Sequence, residues 1–126
     1  MAVAGLTGAV LIEPAEAAGG IKRLSNGKVQ VTVAKINALR KVGGAVLIGS
    51  VGEAQAAVVR TGASTYVALD LSCPHAGVTV RKSSSGWSCP AHGSQFSSSG
   101  SLQRGPARLG LATLKSAFVK GVLTVG

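Results

Sequence analysis

A chain of 126 residues that is 46% hydrophobic but only 3% aromatic has room for one core, built from Val, Ala, Leu and Ile; a domain of this size buries about two-thirds of its unfolded surface. Thirteen Lys and Arg against four acids give a formal charge of +9, which favours anionic partners or surfaces. The bases are dispersed and almost no aromatics interleave with them, so nucleic acid is set aside as a partner, because it needs a basic track with stacking platforms; an acidic protein or an anionic surface suits the charge better.

In chain order, residues 1–12 are apolar and small, and Glu13-Pro14-Ala15-Glu16-Ala17 and Ala18-Gly19-Gly20 follow. Twelve residues are too few for a spanning helix, which needs about twenty. The stretch matches the end of a signal peptide's hydrophobic region, with Ala15-Glu16-Ala17 as an A-x-A cleavage site, although the positive n-region is missing. Two readings of residues 1–27 stand. One is the remnant of a longer export signal, of twin-arginine or another type, which places the protein in the periplasm. The other is a flexible leader, which leaves it cytoplasmic. Membrane association is expected only through a complex or an upstream segment.

From residue 28 the pattern becomes short apolar stretches divided by turn residues. Val29-Gln30-Val31-Thr32-Val33 alternates with period two, as a half-buried strand does. Residues 33–42 have room for a helical turn. Lys41-Val42-Gly43-Gly44 reads as a turn before a short buried run, Ala45 to Gly49. Residues 56–60 and 64–69 flank Thr61-Gly62-Ala63 as a hairpin, and residues 111–119 and 122–125 flank Lys120-Gly121 as another. With no sustained helical period and no repeat, the expected class is all-β. Trp87 and Phe118 are expected in the core, where large rings belong.

Every cysteine and histidine falls between residues 73 and 92, in two matched arms: Cys73-Pro74-His75 and Cys89-Pro90-Ala91-His92. Between them Val78-Thr79-Val80 and Trp87-Ser88 are strand-like, and residues 81–86 are polar and end in Gly. The arms therefore read as two loops joined by a hairpin. Pro74 and Pro90 stiffen the loops, and Gly77 and Gly93 let backbone approach a bound group. A lone disulfide gives no reason for a histidine two or three positions after each cysteine. Two thiols and two imidazoles suit either a structural Cys2His2 zinc site, in which both Cys usually precede both His, or an iron–sulfur cluster.

Cys73-x-His75, Cys89-x-x-His92-Gly93-Ser94, Phe96, Gly100 and Gly105-Pro106-Ala107 together resemble the Rieske [2Fe–2S] family, across roughly residues 28–126. The resemblance implies an antiparallel β-sandwich carrying a small cluster-binding subdomain, about 71–107, made of two loops on a hairpin. It also implies one [2Fe–2S] cluster per chain, with Cys73 and Cys89 on one iron and His75 and His92 on the other. Two ferric ions, two sulfides and two thiolates sum to zero charge, so neutral imidazoles make reduction easier, toward roughly −150 to +300 mV. The outer imidazole nitrogens would couple protons to the electron and mark its exit. Pro106 would lie in a proline loop shielding a third side.

Family members in quinol-oxidising cytochrome complexes join the two loops by a disulfide. The matching positions here are Val78 and Ala91, as in Rieske ferredoxins. Ser94 matches a serine that donates to a cluster sulfur, while Phe96 replaces a tyrosine and cannot donate. The expected potential is therefore intermediate. An oxygenase reading fails because no histidine remains for a second iron. Electron transfer is left, with no catalysis by the chain alone: a small carrier serving an oxygenase, or a subunit of an exported oxidase similar to arsenite oxidase or of a quinol:cytochrome complex. The alternative is a zinc-stabilised binding module.

Overall fold

Alternation along the chain becomes layering. In the computed structural model, which describes residues 20–74, 77–84 and 86–126, Val29 and Val31 of the strand at Val29–Thr32 are buried while Gln30 and Thr32 are half exposed. Most of the 1–27 stretch lies outside the described residues. Its end, however, forms strand β1 (Ile21–Arg23), which pairs antiparallel with β2 (Val29–Thr32). The strands that follow are β3 (Ala45–Val51), β4 (Ala54–Arg60), β5 (Tyr66–Asp70), β6 (Arg81–Ser83), β7 (Gly86–Ser88), β8 (Gln95–Ser97), β9 (Leu102–Arg104), β10 (Thr113–Leu114), β11 (Ser116–Val119) and β12 (Val122–Val125).

They form three antiparallel sheets with strand orders β1-β2-β12-β11, β10-β5-β4-β3 and β6-β7-β8-β9. The second sheet is the shared layer. On one face Val46, Ala56, Val58 and Ala68 pack against Val29, Val31, Leu123 and Val125 of the first sheet. On the other, Ala45, Ala57, Val59 and Leu69 pack against Trp87 and Phe96 of the third. A strand buried on both faces loses the polar half of its alternation, and β4 accordingly buries four consecutive residues, Ala56-Ala57-Val58-Val59. The expected all-β sandwich with a small appended subdomain is thus the observed fold.

Four local expectations change. The run Ala45 to Gly49 does not end at its glycine: Gly49 adopts φ 80° at a register shift between Leu47 and Gly49, and β3 runs on to Val51. A glycine inside a strand marked a bulge, not a stop. The Arg23 guanidinium fills the bulge, donating to the carbonyls of Ile48 (2.7 Å) and Ser50 (2.6 Å). Arg23→Ala is expected to lower stability by about 1–3 kcal/mol, two charge-assisted bonds at a partly wet edge, seen as a lower denaturant midpoint.

The second change is at Val78-Thr79-Val80, which makes only the bridge between Ser72 and Thr79. The strand begins at Arg81, because Val80 is needed in the core beneath the arms. The third is Phe118, which is not core: it is 37% exposed on the edge strand β11 and stacks at a tilt on Tyr66, with ring centroids 4.9 Å apart. The turn at Lys120-Gly121 forms as expected, both residues taking positive φ (50° and 81°), as a two-residue primed turn requires. The fourth change is its first arm, since 111–119 splits into Thr113–Leu114, paired with β5 in the second sheet, and Ser116–Val119, paired with β12. Residues 33–42 supply two 3₁₀ turns, Val33–Lys35 and Asn37–Leu39, which seat Ile36 and Leu39 in the first core.

Candidate metal centre

The two arms leave the third sheet at the end opposite the β6–β7 turn: the first follows β5, the second joins β7 to β8. Both are Cys-Pro-x-x-Gly, and both close in the same way. The Gly77 N–H donates to the Cys73 carbonyl (2.7 Å) and the Gly93 N–H to the Cys89 carbonyl (3.0 Å). The Cys73 N–H donates to the Val78 carbonyl and the Cys89 N–H to the Ser94 carbonyl, each at 2.8 Å. Each turn needs a left-handed residue at its fifth position, and Gly77 (φ 72°) and Gly93 (φ 81°) provide it. A Cβ on Gly93 would meet nothing within 4 Å, so the whole penalty of Gly93→Ala is conformational. It is expected to lower stability by about 1–2 kcal/mol in a denaturant melt, with ligand side chains untouched.

Congruent arms bring the two cysteines together. Cys73 and Cys89 are 1% and 2% exposed, inside the core that holds Leu71, Val80, Trp87 and Phe96. Both thiols are free and buried in the same core. Burial pushes the Cys89 thiol up, but the N–H groups of Ala91 and His92 and the Cys73 thiol outweigh it and hold Cys89 below the ordinary cysteine range. Two free thiols buried in one apolar core, one of them held below its ordinary range, suit thiolate ligands whose charge a metal neutralises.

His92 is exposed on the outer surface of the second arm; His75 lies outside the described residues. Among the described residues, no three His, Cys, Asp or Glu side chains converge as ligands of one metal ion. Paired thiols within and an imidazole at the surface match a group that takes sulfur at one end and nitrogen at the other. The donors present therefore fit a [2Fe–2S] cluster, which Cys73 and Cys89 would hold at the buried end and His92 at the exposed one.

Around the thiols, Ser94 is fully buried and its Oγ accepts a hydrogen bond from the Ala107 N–H at 3.0 Å. Phe96 is 1% exposed and lies opposite Trp87 in the β7–β8 ladder. Val78 and Ala91 are exposed. Pro106, joined to Gly105 by a cis peptide, is exposed in the loop that Ala107 anchors. Trp87 shares the strand face of Cys89, two positions on, and its indole N–H donates to the Ser98 carbonyl at 3.1 Å. Lys82 lies 5.8 Å from the Trp87 ring centre. That spacing was visible in the sequence as Trp-x-Cys; the role of Ala107 was not, since a backbone donor leaves no mark on residue type.

Arg81 and Lys82 occupy β6 and Arg104 occupies β9, the two edges of the third sheet, while Arg108 lies in the loop between β9 and β10. All four are exposed, so positive charge flanks the arms.

The model of the Rieske [2Fe–2S] domain family matches residues 29–115. Ubiquinol-cytochrome c reductase iron–sulfur subunits of Rickettsia conorii and Rickettsia felis are 39% and 37% identical over 70 residues, 53% of this chain and 40% of theirs; the chain thus matches less than half the length of these relatives. Among solved structures, the cyanobacterial plasma membrane Rieske protein PetC3 from Synechocystis PCC 6803 aligns with a TM-score of 0.55 at 20% identity, covering 81% of this chain and 88% of that one. A naphthalene 1,2-dioxygenase variant bound to phenanthrene aligns at 0.59 and 22% identity, covering 70% and 23%. At such identities these structures speak for the fold. Among the described residues no helix is long and apolar enough to cross a membrane.

Proposed function

The chain belongs to the Rieske [2Fe–2S] domain family, and from that membership we propose that it is the electron-transfer subunit of a quinol- or cytochrome-linked redox complex, working on the extracytoplasmic side. Cys73 and Cys89 hold one iron and His75 and His92 the other, within a cluster-binding subdomain of about residues 71–107. The observation that carries the reading is the pair of congruent arms that bury two free thiols in one core and leave His92 exposed. The resemblance to ubiquinol-cytochrome c reductase subunits supports the complex; the valine and alanine at 78 and 91 favour a diffusible carrier as the second reading.

When bound, the cluster accepts and gives up one electron at a time. The chain's own residues set the terms. Ala91 and His92 amides hold negative charge on the Cys89 sulfur, and Leu71, Val80, Trp87 and Phe96 keep water from the thiolate end. Ser94 offers a hydroxyl proton, which favours the more negative reduced state, and His92 presents an imidazole where an acceptor arrives. The potential is expected to lie between ferredoxin-type and disulfide-bearing centres.

Metal analysis of the native protein tests the cofactor: two irons and two sulfides with visible absorption support the reading, and stoichiometric zinc without absorption overturns it. Co-purification with a stable large subunit supports the complex, and a monodisperse monomer carrying all the cluster supports the carrier. If Arg81, Lys82, Arg104 and Arg108 steer an acidic acceptor, the transfer rate is expected to fall severalfold as ionic strength rises past about 0.1 M, where the Debye length is about 10 Å. Stopped-flow rates that ignore salt remove charge steering from the account.

A further inference from the structure

Ser94 is the one polar side chain buried in the described residues, and two elements fix it. Its carbonyl accepts from the Cys89 N–H at 2.8 Å, which makes it part of the second arm. Its Oγ accepts from the Ala107 N–H at 3.0 Å, which belongs to the proline loop. Around Ala107, at 4% exposure, the loop is open: Gly105, Pro106 and Arg108 are exposed, and Leu109 is 70% exposed. The loop is therefore tied down by the Ala107 methyl in the second core and by one amide on one hydroxyl.

A serine hydroxyl has one proton to give and rotates to suit its partners. Once Oγ accepts from Ala107, its proton must point elsewhere, and among the described residues no acceptor takes it. Accepting one hydrogen bond also polarises the O–H and strengthens the bond it donates. We propose that the Ala107 amide is a positioning group for electron transfer: it aims and strengthens the Ser94 hydroxyl toward the sulfur end of the cluster, so that the seating of the exposed proline loop sets the reduction potential. A partner that presses on residues 106–109 and lifts Ala107 from Ser94 lowers the potential. By reciprocity, the same partner binds the oxidised protein more tightly than the reduced one, by a factor equal to the shift, tenfold for 59 mV in a one-electron couple. The inference rests on the proposed cluster and on donation by Ser94.

The test is voltammetry on the purified holoprotein in a double-mutant cycle. Ser94→Ala removes the hydroxyl; Ala107→Pro removes the amide donor and adds a ring where the Ala107 methyl is buried. Each is expected to lower the midpoint potential, Ser94→Ala by more, and Ala107→Pro is expected to have no effect once residue 94 is alanine. Pro106→Gly, which keeps every donor but loosens the loop, is the second variant, for the case that Ala107→Pro does not fold. It should lower the potential in the Ser94 background alone. Additive shifts in the two backgrounds overturn the coupling, as does a potential unmoved by the loop variants while Ser94→Ala shifts it. If Ser94→Ala itself leaves the potential unchanged, donation by Ser94 is what fails. Thermal unfolding of the same variants separates a mere tether, which would lower the midpoint temperature in both loop variants and leave the potential where it is.

Discussion

Cys89→Ser is expected to abolish cluster incorporation, with visible absorption and bound iron falling to background. The substitution changes one atom, so its effect tests the site and not the packing. A hydroxyl does not ionise near neutral pH, whereas the Cys89 thiol is held below the ordinary cysteine range by the Ala91 and His92 amides and Cys73. Serine therefore offers no anionic ligand where the fold has arranged donors for one. The serine oxygen still accepts hydrogen bonds from the same amides, so the apoprotein is expected to stay folded while empty of iron. Iron content close to wild type in folded Cys89→Ser would remove Cys89 from the ligand set. The neighbouring surface change Ala91→Ser is the control: it lies in the same arm, is exposed, and should keep full iron.

Trp87→Ala is expected to be the most destabilising single core change, by about 3–5 kcal/mol in a protein whose total stability is on the order of 5–15 kcal/mol. The ring is fully buried, spans the core between the second sheet and the thiols, and gives its N–H to the Ser98 carbonyl. Its removal opens a cavity beside Cys73 and Cys89 and strands that carbonyl. The first core lies on the far face of the second sheet and contains no residue of the third. The cluster should therefore be lost at lower denaturant than the far-ultraviolet signal of the sandwich. Coincident transitions would mean that the two cores unfold as one unit. Trp87→Phe keeps most of the buried surface and gives up the N–H, and should lose only about 1–2 kcal/mol.

The residues proposed as ligands were legible as residue types. All the thiols and imidazoles of the chain fall in one window, and their spacing, the glycines behind them and the later Gly-Pro-Ala suffice to name the family. Strand alternation at Val29–Thr32 and the turn at Lys120-Gly121 were legible for the same reason: each depends on a few neighbouring side chains. What misled was local evidence read without its surroundings. Gly49 looked like a terminator and is a bulge filled by Arg23, whose guanidinium bonds to the Ile48 carbonyl 25 residues along the chain. Phe118 looked like core because it is large, yet it falls on an edge strand, 37% exposed and stacked on Tyr66.

Sequence by itself determined that thiols and imidazoles fall in two matched arms and that the class is all-β, because these follow from residue identity and short-range periodicity. Tertiary structure alone decided that β4 is buried on both faces, that the two thiols meet within a second core, and that the Ala107 amide lands on the Ser94 hydroxyl. Those facts depend on which sheets stack and on where backbone groups from distant segments fall. A backbone N–H is the same at every non-proline position, so no residue type announces the one that reaches Ser94.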